Sequence, residues 1–233
     1  MTSRLALTWL GHGTFHFQSP GGRRLIVDPW LEGNPACPPD WHRPSPLDVI
    51  LITHGHADHT ADAARLARQT DARVVASFEI CRWLSWKGVR NLRPMNKGGT
   101  QEVEGIGIAM VDARHSSTVE EDGQLVPLGE AAGFVLTFED GLSLYFAGDT
   151  ALFGDMRLIG EWYRPAIACL PIGDLYTMGP EQAARACEWL GVRQVVPMHY
   201  GTAPELTGTP ARLRAALPAG IQVLELAPGE TAG

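Results

Sequence analysis

The stretch "DVILITHGHADHTADAARLARQT" (48–70) limits the fold more than any other part of the chain. Its first six residues have the length and composition of a buried strand, and from residue 60 apolar positions recur at helical spacing. Between the two stand His54, His56, Asp58 and His59. Four metal-capable side chains thus fall where a strand gives way to a helix, a common place for sites in α/β folds. The helix is expected to start directly after His59. A solvated polar turn is one reading; half of a metal site is the other, and it requires the rest of the chain to supply the second half.

The same rhythm continues along the chain. Strands are expected at 4–10, 14–17, 24–28, 72–77, 106–113, 133–139, 142–148, 165–172, 193–198 and 221–226, where Leu, Ile, Val and aromatic runs are punctuated by Gly or Pro. Helices are expected over 79–88, 151–160, 179–190 and 204–216. Asp140-Gly141 marks a hairpin. Two stretches, 31–46 and 114–132, read as long irregular loops of the kind that flank sites. No flexible linker or short repeat divides the 233 residues, so one α/β domain over 1–233 is expected.

Three further metal-capable residues each follow an apolar run: His115 after "IAMVDAR", Asp149 after "LSLYFAG" and His199 after "RQVVPM". Imidazole and carboxylate are ligands for zinc and similar ions, and a catalytic site keeps one position for water. With nitrogen and oxygen ligands only, zinc or iron suits the imidazoles, and the carboxylates let manganese compete.

Composition narrows the function. Nineteen Lys+Arg against 26 Asp+Glu give a formal charge of −7, which disfavours non-specific binding to nucleic acid or an anionic membrane. No run of apolar residues is long enough for a membrane span. "MTSRLALTWLGHG" lacks the core and cleavage pattern of a secretory leader, so a cytoplasmic protein is expected. Cys37, Cys81, Cys169 and Cys187 are widely spaced and read as reduced, chemically idle thiols. A small-molecule substrate is expected and a homo-oligomer is left open.

The pattern H-x-H-x-D-H at His54, His56, Asp58 and His59, with His115, Asp149 in "AGDT" and His199 in "PMHYGT", closely resembles the metallo-β-lactamase superfamily over essentially the whole chain. "MNKGG" (95–99), "GDTALFGDM" (148–156), "LPIGDLYTMG" (170–179) and "VPMHY" (196–200) are similar to its bacterial and archaeal metal-dependent hydrolases, relatives of lactonase-like and phospholipase-D-like members. The resemblance implies a four-layer αβ/βα sandwich, two central mixed β-sheets flanked by helices. It also implies two divalent ions, zinc first and manganese as the alternative. His54, His56 and His115 would hold one, Asp58, His59 and His199 the other, with Asp149 between them and Asp28 of "LIVDP" supporting the histidine loop.

A hydroxide bridging such ions would attack an ester, lactone or phosphodiester, with Asp58 orienting it or taking its proton. His12, in a Gly-flanked turn that the resemblance puts near the metal mouth, would give a proton to the leaving group. His16 reads as structural and His42 as solvent-facing. Asn96, Gly98, Gly99, Asp174, Tyr176 and Tyr200 are candidate substrate contacts. Trp83 and Trp86 read as core or oligomer contacts.

Departures from the family also inform. Asp149 stands where Cys-ligated zinc β-lactamases carry Cys, and His56 where flavodiiron members carry Glu. No long basic insertion resembles the arm of tRNA-processing relatives. A mononuclear iron dioxygenase of the sulfur-oxidising type would use only the first three ligands, and a non-enzymatic metal-binding scaffold usually accompanies lost ligands; here none is missing.

Overall fold

The computed structural model describes residues 4–44 and 46–233; residues 1–3, and residue 45 within the stretch 31–46, lie outside the described residues. In chain order the first half contains β1 (Ala6–Trp9), β2 (Phe15–Gln18), β3 (Arg24–Val27), β4 (Val49–Leu51), α1 (Ala57–Thr60), α2 (Ala63–Thr70), β5 (Arg73–Ser77), α3 (Phe78–Trp86) and β6 (Leu92–Met95). It continues with β7 (Thr100–Val103), β8 (Ile106–Asp112), β9 (Thr118–Glu121), β10 (Gln124–Pro127), β11 (Ala132–Thr137) and β12 (Ser143–Phe146). The last part holds α4 (Met156–Tyr163), β13 (Ile167–Pro171), α5 (Pro180–Leu190), β14 (Gln194–Met198), α6 (Pro210–Ala216), β15 (Gln222–Val223) and β16 (Thr231–Ala232).

Among the described residues, these strands form two seven-stranded mixed sheets, β16-β1-β2-β3-β4-β5-β6 and β15-β14-β13-β12-β11-β8-β7, plus the hairpin β9-β10. Alternation along each strand divides the apolar residues between two faces. Leu25, Val27, Val49 and Leu51 of the first sheet meet Phe134, Leu136, Leu144 and Phe146 of the second in the central layer. The intervening Ile26, Ile50 and Val74 turn outward onto Leu66, Ile80 and Leu84 of α2 and α3. In the second sheet Val135, Tyr145, Ala168 and Val195 turn outward onto Met156, Ile159, Ala183, Cys187 and Leu213 of α4 to α6. Helix, sheet, sheet, helix is the four-layer order, as expected.

The local differences have identifiable causes. The first helix begins at Ala57, not after His59, because His56 in extended backbone serves as its N-cap. Asp58 and His59 therefore ride on a helical turn. That turn breaks before α2, where the Asp62 carboxylate accepts the N–H of Leu31 at 2.6 Å and an Arg65 guanidinium N–H at 2.7 Å. The stretch 114–132 is not irregular throughout: Asp122 (φ 50°) and Gly123 (φ 74°) form a two-residue turn pairing Glu121 with Gln124. The fourth helix starts at Met156, five residues later than expected. The sixth starts at Pro210, where Thr209 accepts the N–H of Arg212 at 3.2 Å. β6 and β7 did not stand out by alternation because both lie at sheet edges.

Candidate metal centre

Topology brings the metal-capable residues together. β1 and β3 share a direction, with β4 and β5 parallel to β3; in the second sheet β8, β12, β13 and β14 share a direction. Their carboxyl ends deliver His12, Asp28, His54, His115, Asp149 and His199, each from one to three residues past its strand. The α1 turn adds Asp58 and His59.

Two groups result. In the first, ligand atoms of His54, His56 and His115 lie within 4.8 Å of one another, with His54 Nε2 3.1 Å from His56 Nδ1. In the second, His12, Asp58, His59 and His199 meet the same limit. Asp149 stands between them. Its Oδ2 is 2.9 Å from His199 Nε2, 3.4 Å from His59 Nε2, 3.8 Å from His115 Nε2 and 3.9 Å from His54 Nε2.

Asp28 is buried behind the centre and has no free side toward it. Oδ1 accepts the N–H of Thr53 at 2.8 Å, while Oδ2 accepts the Thr53 hydroxyl at 2.6 Å and His59 Nδ1–H at 2.8 Å. Because the Thr53 proton points to Asp28, Thr53 Oγ1 accepts from His54 Nδ1, 3.0 Å away. One carboxylate thereby fixes both imidazoles with their Nε2 atoms turned inward. Ser116 Oγ, 3.2 Å from His56 Nε2, leaves that ring's Nδ1 facing the centre.

Three centre residues, His12 (φ 54°), Asp28 (φ 50°) and His199 (φ 55°), occupy the left-handed region that L side chains avoid. Such strain clusters where side-chain direction matters. Gly13 serves the same end: a Cβ there would stand 2.6 Å from His59 Cε1.

Electrostatics follow from this crowding. Burial alone would lower the pKa of His59, yet Asp149 and Asp28 on its two sides hold it well above the ordinary imidazole range. Burial would raise Asp149, but His59 and His199 hold it well below the carboxylate range. Asp58 is likewise held low against burial, by the His12 hydrogen bond and His59. His54, buried and beside His59, is pushed well below an ordinary histidine. Burial also lowers His12, His56 and His115.

Several buried atoms at this point make no hydrogen bond among the described residues: His59 Nε2, Asp149 Oδ1, and both ring nitrogens of His199. Buried polar atoms left so at one place require an explanation. A nitrogen and oxygen donor set converging on shared points fits divalent cations.

The centre opens into a cavity of about 540 Å³ lined by His12, Trp30, His56, Asp58, His115, Ser116, Asp149, Tyr176, His199, Thr202, Ala203 and Leu206. His12 bridges it, with Nε2 2.9 Å from Asp58 Oδ2 and Nδ1 2.6 Å from Thr202 Oγ1. Of the candidate substrate contacts only Tyr176 lines this cavity. Gly98 borders a different groove, beside α4, and Tyr200 stacks on Trp9 at 5.1 Å. Asp174 accepts the N–H of Leu175.

Trp30, Ser116 and Thr202 are not singled out by the sequence, although Ser116 and Thr202 lie one and three residues past His115 and His199, and Trp30 two past the supporting Asp28. His16 is buried beside Trp41, as a structural residue is, whereas His42 is half-buried. Trp83 is buried, while Trp86 is exposed. All four thiols are free and buried, and burial pushes Cys81 and Cys187 up to about 12.

Two mixed sheets with flanking helices, meeting at an edge lined by this His/Asp set, define a protein of the metallo-β-lactamase fold. The family description "Beta-lactamase superfamily domain" matches residues 23–200. A UPF0173 metal-dependent hydrolase of Roseiflexus castenholzii is 48% identical over 233 residues, covering 97% of this chain and 96% of its own. The chain belongs to the β-lactamase superfamily, among the UPF0173 metal-dependent hydrolases.

Solved structures agree. Igni18, a metallo hydrolase of the hyperthermophilic archaeon Ignicoccus hospitalis, is similar with a TM-score of 0.85 and 37% identity, over 98% of this chain and 97% of its own. An isothiocyanate hydrolase from Delia radicum gut bacteria is similar with a TM-score of 0.75 and 27% identity, over 98% of each chain. Among the described residues no helix is long and apolar enough to cross a membrane.

Proposed function

We propose that this protein hydrolyses a small ester, lactone or phosphodiester at a centre holding two divalent cations, zinc or manganese. The carrying observation is the position of Asp149 Oδ2, within 3.9 Å of Nε2 atoms from both histidine groups. His54, His56 and His115 would hold one cation and Asp58, His59 and His199 the other, with Asp149 shared. Cations held there would supply Lewis acidity, easing loss of a proton from water and polarising the oxygen of the group under attack.

The chain's own residues supply the proton path. Asp58, its side chain 35% exposed and facing the cavity, accepts a proton from the attacking water. His12 donates to the same Asp58 oxygen through Nε2, so burial that keeps the ring neutral leaves Nδ1 to accept from the Thr202 hydroxyl. His12 gives its Nε2 proton to the departing oxygen and recovers one from Asp58. For an ester, the water oxygen bonds to the acyl carbon, the C–O bond breaks, and acid and alcohol leave with the two water protons.

The test is elemental analysis of protein purified without added metal, followed by a panel of lactones, esters and bis(4-nitrophenyl) phosphate. The isothiocyanate hydrolase similar to this chain justifies adding an aryl isothiocyanate. About two equivalents of zinc or manganese per chain, with turnover abolished by chelation, is expected. One equivalent of iron and no hydrolysis would instead favour an oxygenase using the three-histidine group alone.

A further inference from the structure

We infer that the substrate carries an uncharged apolar or aryl arm, with no charge outside the reacting group, and that Trp30, Tyr176 and Leu206 select for it. This deepens the hydrolase reading and rests on it. One wall of the cavity is the centre itself; the rest is Trp30, Tyr176, Ala203 and Leu206, with the hydroxyls of Thr202 and Ser116 beside them. A space of about 540 Å³ has room for an arm beyond the group that reacts.

Among the described residues lining the cavity there is no lysine or arginine. A carboxylate, phosphate or sulfonate on the arm would leave water without a partner, which is strongly unfavourable. A cationic arm does no better, because both lining carboxylates, Asp58 and Asp149, already face histidines. The class takes in aryl esters and lactones and excludes molecules such as nucleotides, whose polar groups extend beyond the reacting centre.

The apolar walls come from three different strand ends and are held in place. Trp30 donates its backbone N–H to Thr14 Oγ1 at 3.2 Å and accepts from Asn34 Nδ2 at 3.2 Å. Its ring stands edge-on to His12 at 5.1 Å, and a Cβ on Gly33 would lie 2.7 Å from its Nε1, so any larger neighbour would displace the ring. Leu206 is buried against Gly173. Tyr176 is 64% exposed at the mouth, on a loop where Asp174 (φ 67°) and Leu175 (φ 56°) are both left-handed. The left-handed region is uncommon for leucine, and such conformations cluster at constrained, functional loops.

The experiment compares 4-nitrophenyl 3-phenylpropanoate with its ring-sulfonated analogue on the metal-loaded protein. The uncharged ester is expected to have kcat/KM about 50-fold higher. Ala203→Lys, at an exposed wall position, narrows that ratio, and Trp30→Ala or Tyr176→Ala raises KM for the uncharged ester more than it lowers kcat. Equal or faster turnover of the sulfonate overturns the inference, as does a ratio that none of these variants moves.

If neither ester is hydrolysed, calorimetry with N-phenethylacetamide and its sulfonated form separates the two readings. Preference for the uncharged amide that is lost in Trp30→Ala retains the pocket assignment while the hydrolase reading fails. Equal or reversed binding overturns the assignment itself.

Discussion

Asp28 and His59 are joined by a 2.8 Å hydrogen bond, Nδ1 to Oδ2, and neither side chain reaches water. The same carboxylate holds His54 through the Thr53 hydroxyl, so one residue that faces no substrate sets the direction of two rings. Asp28→Asn keeps the shape but offers a single acceptor oxygen to three donors. Metal affinity is expected to fall about 10- to 100-fold, a loss typical of removing such a support. Competition with a chromophoric chelator measures it, and unchanged affinity in a folded variant would sink the assignment.

His115 and His199 approach Asp149 from the two different groups. His115→Ala and His199→Ala should therefore each lose one class of metal site and retain the other. Titration with zinc followed by elemental analysis reads this directly. Retention of both sites at unchanged affinity in either variant would refute the division of ligands.

Chelation should also destabilise the wild-type chain. Removing cations leaves the buried Asp149 beside His59 and His199, whose Nε2 atoms make no hydrogen bond among the described residues. A ligand at 100 times its Kd stabilises by about 2.7 kcal/mol, so the melting temperature should drop by several degrees on chelation and recover when zinc returns. A melting temperature insensitive to chelator would count against the centre as a metal site.

Gly13 is the test of close packing around His59. A methyl group there would lie 2.6 Å from the imidazole, whereas at Gly154 it would meet nothing within 4 Å. Gly13→Ala should cost about 1–3 kcal/mol in urea unfolding and weaken metal binding, as overpacking does. Gly154→Ala should do neither. Equal behaviour of the two variants would remove the argument for close approach.

His16 gives a pH dependence apart from the centre. Burial, helped by Arg24, lowers its pKa to about 4, whereas the unfolded chain retains about 6.5. The unfolded state thus takes the proton first as pH falls. The stability is complete above about pH 6.5 and is lost as pH drops through about 4. Between pH 7 and 5 the wild type should lose about 2 kcal/mol more than His16→Phe, measured by urea titration of metal-free protein. Parallel losses in the two proteins would show that His16 does not carry this dependence.

Much of this was legible in one dimension. The run of His54, His56, Asp58 and His59 is local, and its neighbours announce a strand before and a helix after. His115, Asp149 and His199 were legible because each follows an apolar run, and the shared directions of their strands carry them to the same end of the sheet. The hairpin at Asp122-Gly123 carries the same Asp-Gly signal as residues 140–141, yet the stretch 114–132 reads as irregular because its strands are short and polar.

The sequence by itself determined which metal-capable residues the chain carries, the alternation that divides each strand between two apolar layers, and the family. Only the tertiary structure decided that Asp28 controls two histidines, that His12 spans Asp58 and Thr202, and that Trp30, Tyr176 and Leu206 share a cavity. The reason is physical: chain-local patterns arise from backbone periodicity and are written in neighbouring residues, whereas these contacts join residues 31, 46 and 190 positions apart and exist only once strands have paired within the first sheet and, for Thr202, the second sheet has packed against it.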